Sequence, residues 1–326
     1  MPQPSISYAC GRVGVLRRNA LHTAQLERLQ SAKSYGEALR ALTDIGFAAA
    51  DTSDFQMAAD QHVRNACELI RAVTPNPAVT DSFLLRYDVH NLKVLVKARY
   101  LAQKPTFLSA CGTLPIDKLR HAVAERNYAV LPAKLKQGMS ALEKRIAVHF
   151  DPMLVDTELD KAMYRQIFEN LASHQDAGKA MAYFRAKVDL QNFMMLLRLH
   201  GMGKDVALFQ DVALEGGTVP LRVWSASLTD HERLARQLQR YSQRLYQAAL
   251  AASLEPAKLP AMEKEADDYL YSLFQDARYA SDSLDVLLSY LLQKQREATD
   301  VRLILAGKLN GFAEEAINER MRELNG

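Results

Sequence analysis

Acidic residues and histidines at short spacings are the first candidates for chemistry in this sequence. Asp156 and Asp160 lie one helical turn apart, but no second acidic cluster complements them, so a surface pair is favoured over a metal site. His231 and Glu232 begin like the zinc-binding helix of a metallopeptidase, yet the second histidine of that motif is missing. These stretches therefore predict no metal site.

Glycine-containing stretches give a similar result for phosphate and nucleotide chemistry. Gly307-Lys308 is followed by Leu309, where a phosphate-binding loop needs Ser or Thr. Gly201-Met-Gly203 follows no strand pattern, so a helix end is favoured over a dinucleotide-binding turn. We therefore predict no catalytic residue and no cofactor.

The composition is that of a globular, helix-rich protein. The chain has 326 residues, of which 48% are hydrophobic and 24% are charged, which excludes a disordered or fibrous protein and predicts two or three domains. Only 14 glycines and 11 prolines interrupt it, which favours long helices. The net charge of +3 is too small for a protein that grips a nucleic-acid backbone, so we expect no nucleic-acid partner.

Cysteines and apolar runs bear on the location of the protein. The three cysteines are scattered, which argues against a disulfide framework and for a reducing cytoplasm. The first residues lack the basic-then-apolar pattern of a signal peptide, and no apolar run reaches the roughly 18 residues of a membrane-spanning helix. We expect a cytoplasmic protein that does not insert into a membrane.

Apolar residues recur with helical periodicity almost throughout, so we predict an all-α fold. The first helix is expected to start near Tyr8 and to run through Leu16, Leu26 and Leu29. Ser34 with Glu37 forms a capping box for the second. Later expected helices include one capped at Thr52 or Ser53 that ends at Val73, one from Asp81 or Ser82 to Leu101, and one over 230–250.

An internal repeat organises these helices. The pattern acid-x-x-Asn-apolar-x-x-Leu occurs at Asp88 and again at Asp189, and a weaker copy begins at Glu297, with spacings of 101 and 108 residues. Gly112-Thr-Leu-Pro115 likewise matches Gly217-Thr-Val-Pro220 at a spacing of 105 residues. Two features with one period predict three related helical domains.

The repeated polar residues fall on an apolar helix face. Asp88 and Asn91 share that face with Leu84 and Leu95, so they should be buried and need hydrogen-bond partners. Metal or proton chemistry is one interpretation, but repetition in three units favours structural anchors that accept hydrogen bonds from a neighbouring segment. The predicted anchors are Asp88, Asn91, Asp189, Asn192, Glu297 and Asp300.

Two basic stripes are candidates for contact with partners. On the opposite face of the first repeated helix, Arg86, His90, Lys93 and Lys97 should face solvent or a partner. A second stripe lies on the helix expected over 230–250, with Thr229 in its capping box, and is either a solvated face or a dock for an acidic partner. Its residues are Arg233, Arg236, Arg240 and Arg244.

The stretch from Phe83 to Lys97 resembles the aromatic-Asp-x-x-Asn-Leu-Lys run in the C subunits of V/A-type ATP synthases, a family that includes the d subunit of the eukaryotic vacuolar ATPase. Three further stretches resemble other parts of the same family and bring the resemblance to nearly the whole chain. These stretches are 42–47, 151–164 and 297–311.

The resemblance implies a non-catalytic rotor component with three similar helical domains, expected over 1–110, 111–214 and 215–326, in a funnel with a pseudo-threefold axis. It implies that the protein lies peripherally on the cytoplasmic face of the membrane. There it would couple the D and F subunits of the shaft to the membrane rotor ring, for proton or sodium transport linked to ATP. The alternative is a generic all-helical repeat scaffold for protein–protein interaction.

Overall fold

A computed structural model describes residues 4–47, 54–203, 206–227 and 230–322. Within these ranges the chain is helical and contains no β-strand, which confirms the predicted all-α class. In chain order the helices are α1 (Ile6–Arg17), α2 (Thr23–Gln30), α3 (Tyr35–Asp44), α4 (Phe55–Val73), α5 (Pro77–Tyr100), α6 (Ile116–Ala124), α7 (Ala133–Ile146), α8 (Pro152–Ala172), α9 (Gly178–Gly201), α10 (Val206–Val212), α11 (Leu221–Ser225), α12 (His231–Arg236), α13 (Gln243–Leu254), α14 (Leu259–Ser272), α15 (Leu284–Leu309) and α16 (Glu314–Asn318).

The chain forms two compact units. The terminal unit consists of residues 1–75 and 257–326, and the central unit consists of residues 76–256. The division into three domains over 1–110, 111–214 and 215–326, and their arrangement as a funnel, stay predictions.

The terminal unit is built around α15, which packs along α4 and also contacts α1, α2 and α3. Its core contains Leu29, Leu42, Phe55 and Ile304, which are buried from solvent. In the central unit, α8 packs against both α5 and α7. Phe83 of α5 lies 4.7 Å from Phe184 of α9, measured between ring centroids, so aromatic contacts join these two long helices.

The expected first helix is wrong in one respect, because it is interrupted between Arg17 and Thr23. The interruption places Leu21 in the core beside Leu26. The second helix then begins after His22, whose backbone N–H donates to the Gln25 side chain at 2.9 Å.

The structure also corrects the start of α5. The helix begins at Pro77, where a proline loses no hydrogen bond because the first-turn N–H groups have no partner within the helix. Both predicted cap residues, Asp81 and Ser82, lie inside the helix, and the Ser82 hydroxyl donates to the Ala78 carbonyl at 2.8 Å. Ser34 does cap α3, as predicted, by accepting from the Glu37 N–H. Thr52 and Ser53 lie outside the described residues, and Asp54 caps α4.

Candidate functional site

Asp88 lies within α5 and has no exposed surface. Its Oδ2 accepts hydrogen bonds from the backbone N–H and the hydroxyl of Thr113, at 2.8 and 2.7 Å, and its Oδ1 accepts from the Leu114 N–H at 3.0 Å. Pro115 follows at once and forms the N-cap of α6. The carboxylate of one helix thus satisfies the backbone donors that lie just before the next helix.

Asp189 makes the corresponding contacts from α9. Its Oδ2 accepts from the Thr218 N–H at 2.7 Å and from the Val219 N–H at 3.1 Å, just before Pro220 forms the N-cap of α11. A further hydrogen bond comes from the Tyr241 hydroxyl, whose oxygen lies 2.5 Å from Oδ2. Asp189 is likewise fully buried. The two repeated features of the sequence therefore contact each other in both copies.

Burial raises the pKa of Asp189 above the usual aspartate range, and the hydrogen bonds from Tyr241, Val219 and Thr218 lower it in part. Burial and the hydrogen bond to Asp189 also raise the pKa of Tyr241. The phenol therefore keeps the proton that it donates to the carboxylate. This geometry fits a structural contact in which the acid accepts hydrogen bonds from fixed donors.

The asparagines that follow the two acids hold the same loops by a second contact. Asn91 donates from Nδ2 to the Ser109 carbonyl and accepts at Oδ1 from the Ser109 N–H, both at 2.8 Å. Asn192 makes the same pair of hydrogen bonds with Leu214, at 2.8 and 2.9 Å. Each side-chain amide therefore clamps both polar groups of one backbone residue, which we call the amide clamp.

Close approach between the acids and their loops requires a glycine in each loop. A Cβ atom added at Gly112 would lie 2.1 Å from Oδ1 of Asp88, and one added at Gly217 would lie 2.1 Å from Oδ1 of Asp189. A nonbonded carbon and oxygen atom cannot lie this close, so either the loop or the carboxylate would have to move away. The glycine in the Gly-Thr-x-Pro pattern is thus explained by the carboxylate that it faces.

The third copy of the repeat uses different partners. Oε2 of Glu297 lies 2.9 Å from the Lys294 ammonium and 2.8 Å from Nε2 of His62 on α4. Oδ1 of Asp300 accepts from the backbone N–H of Arg322 at 3.1 Å. Glu297 and Asp300 are both fully buried, so this copy places two acids inside the terminal unit. Glu297 contacts the Lys294 ammonium and the His62 imidazole, whereas Asp300 accepts from one backbone donor.

The lysines of the first basic stripe turn toward α8. Lys93 pairs with Asp160 and Lys97 pairs with Asp156, each with a nitrogen–oxygen distance of 2.7 Å. The expectation that both lysines face solvent or a partner is therefore not what the structure presents. Burial raises the pKa of Asp160, and Lys93 lowers it in part. The pair Asp156 and Asp160 is thus occupied by cationic side chains of the same chain.

Two other members of the first stripe lie at the surface. The exposed Arg86 lies over the Tyr87 ring, with its guanidinium carbon 5.3 Å from the ring centroid. His90 is also exposed, and its Nε2 lies 2.9 Å from the Phe107 carbonyl oxygen.

The single helix predicted over 230–250, which carries the second stripe, is wrong because the structure divides it into two helices. Helix α12 ends at Arg236, a non-helical segment follows, and Ser242 caps α13 by accepting from the Leu245 N–H at 3.0 Å. This non-helical segment contains Tyr241, which donates to Asp189. Thr229 lies outside the described residues, and Asp230 is the cap of α12. The stripe is exposed at all four positions, on two helices and the segment between them: Arg233, Arg236, Arg240 and Arg244.

The stretch Gly307-Lys308 lies inside α15. The Lys308 ammonium donates to the carbonyl oxygens of Gln30 and Ala32 at 2.6 and 2.5 Å, which places a positive charge near the carboxyl end of α2. Among the described residues, no three His, Cys, Asp or Glu side chains converge as a metal ion would need. No helix in the described ranges is long and apolar enough to cross a bilayer.

The fold and these contacts define an all-helical repeat protein in which buried acids hold loops in place. Residues 9–320 match the family described as ATP synthase (C/AC39) subunit. The chain belongs to this family, as its resemblance to the C subunits of V/A-type ATP synthases predicted.

Individual relatives agree with the family assignment. The chain is 24% identical over 282 residues to the C subunit of the V-type sodium ATPase of Enterococcus hirae, which covers 83% of each chain. It is 24% identical over 252 residues to the C subunit of the A-type ATP synthase of Methanosarcina mazei, covering 74% of this chain and 68% of the relative. The corresponding A-type ATP synthase protein of Thermococcus kodakarensis is 21% identical over 338 residues, covering 98% and 90%.

Sequence reasoning missed two kinds of partner. Tyr241 lies 52 residues after Asp189, and no local pattern connects a tyrosine at that separation with a buried acid. His62 lies 235 residues before Glu297, so only the packing of α4 on α15 reveals their contact. The amide clamps carried a signal, because a buried Asn needs both a donor and an acceptor, and one backbone residue supplies both.

Replacing Gly112 or Gly217 by Ala should destabilise the protein by about 1–3 kcal/mol, because the new methyl group collides with a buried carboxylate. Unfolding in denaturant, followed by circular dichroism, measures the change. Gly178→Ala is the matched control, because a Cβ there meets no atom within 4 Å and Ala favours the helix. Equal stability of all three variants would contradict the close approach.

Replacing Asp88 or Asp189 by Ala should cost about 1–3 kcal/mol, because buried backbone donors lose their acceptor. Thermal unfolding measures this loss. Asp156→Ala serves as the control, since its ion pair is partly exposed and should contribute less than about 1 kcal/mol. If both anchor variants unfold at the wild-type temperature, these acids are not structural anchors.

Proposed function

We propose that this chain is a non-catalytic central-stalk subunit of a V/A-type rotary ATPase. In this role it couples the D and F subunits of the shaft to the membrane rotor ring and so supports proton or sodium transport linked to ATP. It acts peripherally on the cytoplasmic face of the membrane. The family match over residues 9–320 carries the proposal, because it includes all three repeated helices.

The contacts of the repeated acids support a mechanical role. A protein that transmits torque must not yield between the surfaces where the load enters and leaves. In the first two copies a long helix holds its following loop by a carboxylate and by an amide clamp, as in Asp88 with Asn91 and Asp189 with Asn192. Such contacts fix the loop at two points, and close-packed interiors transmit strain.

We propose that the arginine stripe contacts an acidic surface of the shaft or the ring. Arg233, Arg236, Arg240 and Arg244 are exposed, and guanidinium groups suit paired recognition of carboxylates. Arg86 is a further candidate for a partner contact, because it is exposed on α5. Lys93 and Lys97 remain weaker candidates, since both are partly buried and pair with acids on α8, whereas the pair of Arg236 with Glu232 lies at the surface.

Reversing two charges of the stripe, in the variant Arg233→Glu with Arg240→Glu, should slow association with the partner and reduce its dependence on salt. The fold should survive, because exposed charges contribute little to stability. Association rates at several salt concentrations measure the effect. Lys118→Glu with Arg120→Glu makes the same charge change on exposed positions of α6 and serves as the control. Association of the stripe variant at the wild-type rate would show that the stripe faces solvent and does not contact the partner.

Reconstitution of the complete ATPase in liposomes, with and without this chain, tests the coupling role. Without the chain, the soluble head should keep hydrolysing ATP while ATP-driven ion uptake is lost, because torque no longer reaches the ring. Adding the purified chain back should restore uptake. Hydrolysis and uptake are measured on the same vesicles. Full ion uptake in the absence of the chain would refute the coupling role. The generic all-helical scaffold would then be the remaining interpretation.

A further inference from the structure

Asp300 occupies, in the third copy of the repeat, the place that Asn91 and Asn192 hold in the other two. It lies three residues after the repeated acid, and it contacts a backbone residue 22 positions later, as Asn192 does with Leu214. Like the asparagines it is fully buried. The difference is that a carboxylate has no proton to donate, so it cannot form the second bond of the clamp.

Asp300 forms one of the two hydrogen bonds of an amide clamp. Oδ1 accepts from the Arg322 N–H at 3.1 Å, as the asparagine oxygens accept from Ser109 and Leu214. Oδ2 corresponds to the asparagine nitrogen, is buried, and makes no hydrogen bond within the described residues. A buried carboxylate oxygen without a partner is costly, and a proton on that oxygen would both neutralise the charge and supply the missing donor.

We propose that Asp300 is a proton-dependent clamp for the segment around Arg322. With Oδ2 protonated, the carboxylic acid donates to the Arg322 carbonyl while Oδ1 accepts from the Arg322 N–H, which is the hydrogen-bond pattern of Asn91 and Asn192. With Asp300 ionised, the clamp keeps one bond.

The charged groups near Asp300 pair with other side chains, which is compatible with protonation of Asp300. Arg296, one turn earlier on α15, pairs through Nη2 with Asp268 of α14. Asp267 of α14 pairs with the Arg322 side chain at 2.8 Å. On α4, His62 faces Glu297 and Asp60 pairs with Arg302 at 2.5 Å.

Burial raises the pKa of Asp300 to about 6, and the charge of Asp267 adds to the rise. The hydrogen bond from the Arg322 N–H and the charges of Arg296 and Arg322 lower the pKa in part.

The direction of the pH dependence follows from that shift. Because the folded protein binds this proton more tightly than the unfolded chain, the contribution of Asp300 to stability is complete below about pH 4 and is lost as the pH rises through about 6. A displacement of about two pH units corresponds to about a hundredfold change in the unfolding constant. Asp300→Asn removes this dependence, since its amide keeps both hydrogen bonds at every pH.

The test compares wild-type protein with Asp300→Asn between pH 4.5 and 8. At pH 7.5 the variant should unfold at a higher temperature than the wild type, and the difference should narrow steadily as the pH falls from about 6 to 4.5. Hydrogen exchange of the Arg322 amide, corrected for the intrinsic effect of pH, gives the local measurement. In the wild type its protection should fall from pH 5 to pH 7.5, whereas in Asp300→Asn it should stay constant.

The reverse substitution, Asn192→Asp, places a carboxyl group in an amide clamp of the central unit. It should introduce the same pH dependence at Leu214, with weaker protection of that amide at pH 7.5 than at pH 5. Three results would overturn the proposal. These are a temperature difference between wild type and Asp300→Asn that does not vary with pH, constant protection of Arg322 in the wild type, and constant protection of Leu214 in Asn192→Asp.

Discussion

A buried carboxylate and a loop with unpaired backbone N–H groups are each costly inside a protein, and in this fold each removes the cost of the other. Asp88 and Asp189 accept from two successive backbone amides, and the proline directly after those amides is the N-cap of the next helix. The hydrogen bonds therefore decide where α6 and α11 start. The loop glycine belongs to the same interaction, because any side chain there would separate the acid from its donors.

The sequence predicted the components of this interaction but not all of its contacts. The repeated acid and the repeated Gly-Thr-x-Pro turn showed one period, and burial of Asp88 and Asn91 followed from the apolar face that they share. The break after α12 could not be predicted, because Leu234, Leu238 and Leu245 continue the helical period across it. The helix is interrupted although the period continues, and the break includes Tyr241, which donates to an acid on another helix.

The third copy shows what happens when the amide is replaced by an acid. Glu297 and Asp300 bring two carboxyl groups into the interior of the terminal unit, and Lys294 and His62 lie against the first of them. Removing one partner from such a buried pair leaves an uncompensated charge, which costs more than the pair itself contributes. The terminal unit should therefore respond to single charge changes more strongly than the clamps of the central unit, where neutral amides make the contacts.

The location of charge also links the fold to its proposed mechanical role. Lys93 and Lys97 pair with acids of α8 inside the central unit. Lys308 binds carbonyl oxygens near the end of α2 inside the terminal unit. Each of these cations therefore joins two elements of its own unit. The arginines of the stripe differ in being exposed at all four positions, and Arg236 pairs with Glu232 of its own helix. Tyr241 and Ser242 fix the segment between the two short helices that carry the stripe. A charge carried on a fixed backbone can meet a partner without a large loss of conformational freedom, which favours binding by preorganisation. The buried anchor at Asp189 thus supports the surface on which we expect a partner to bind.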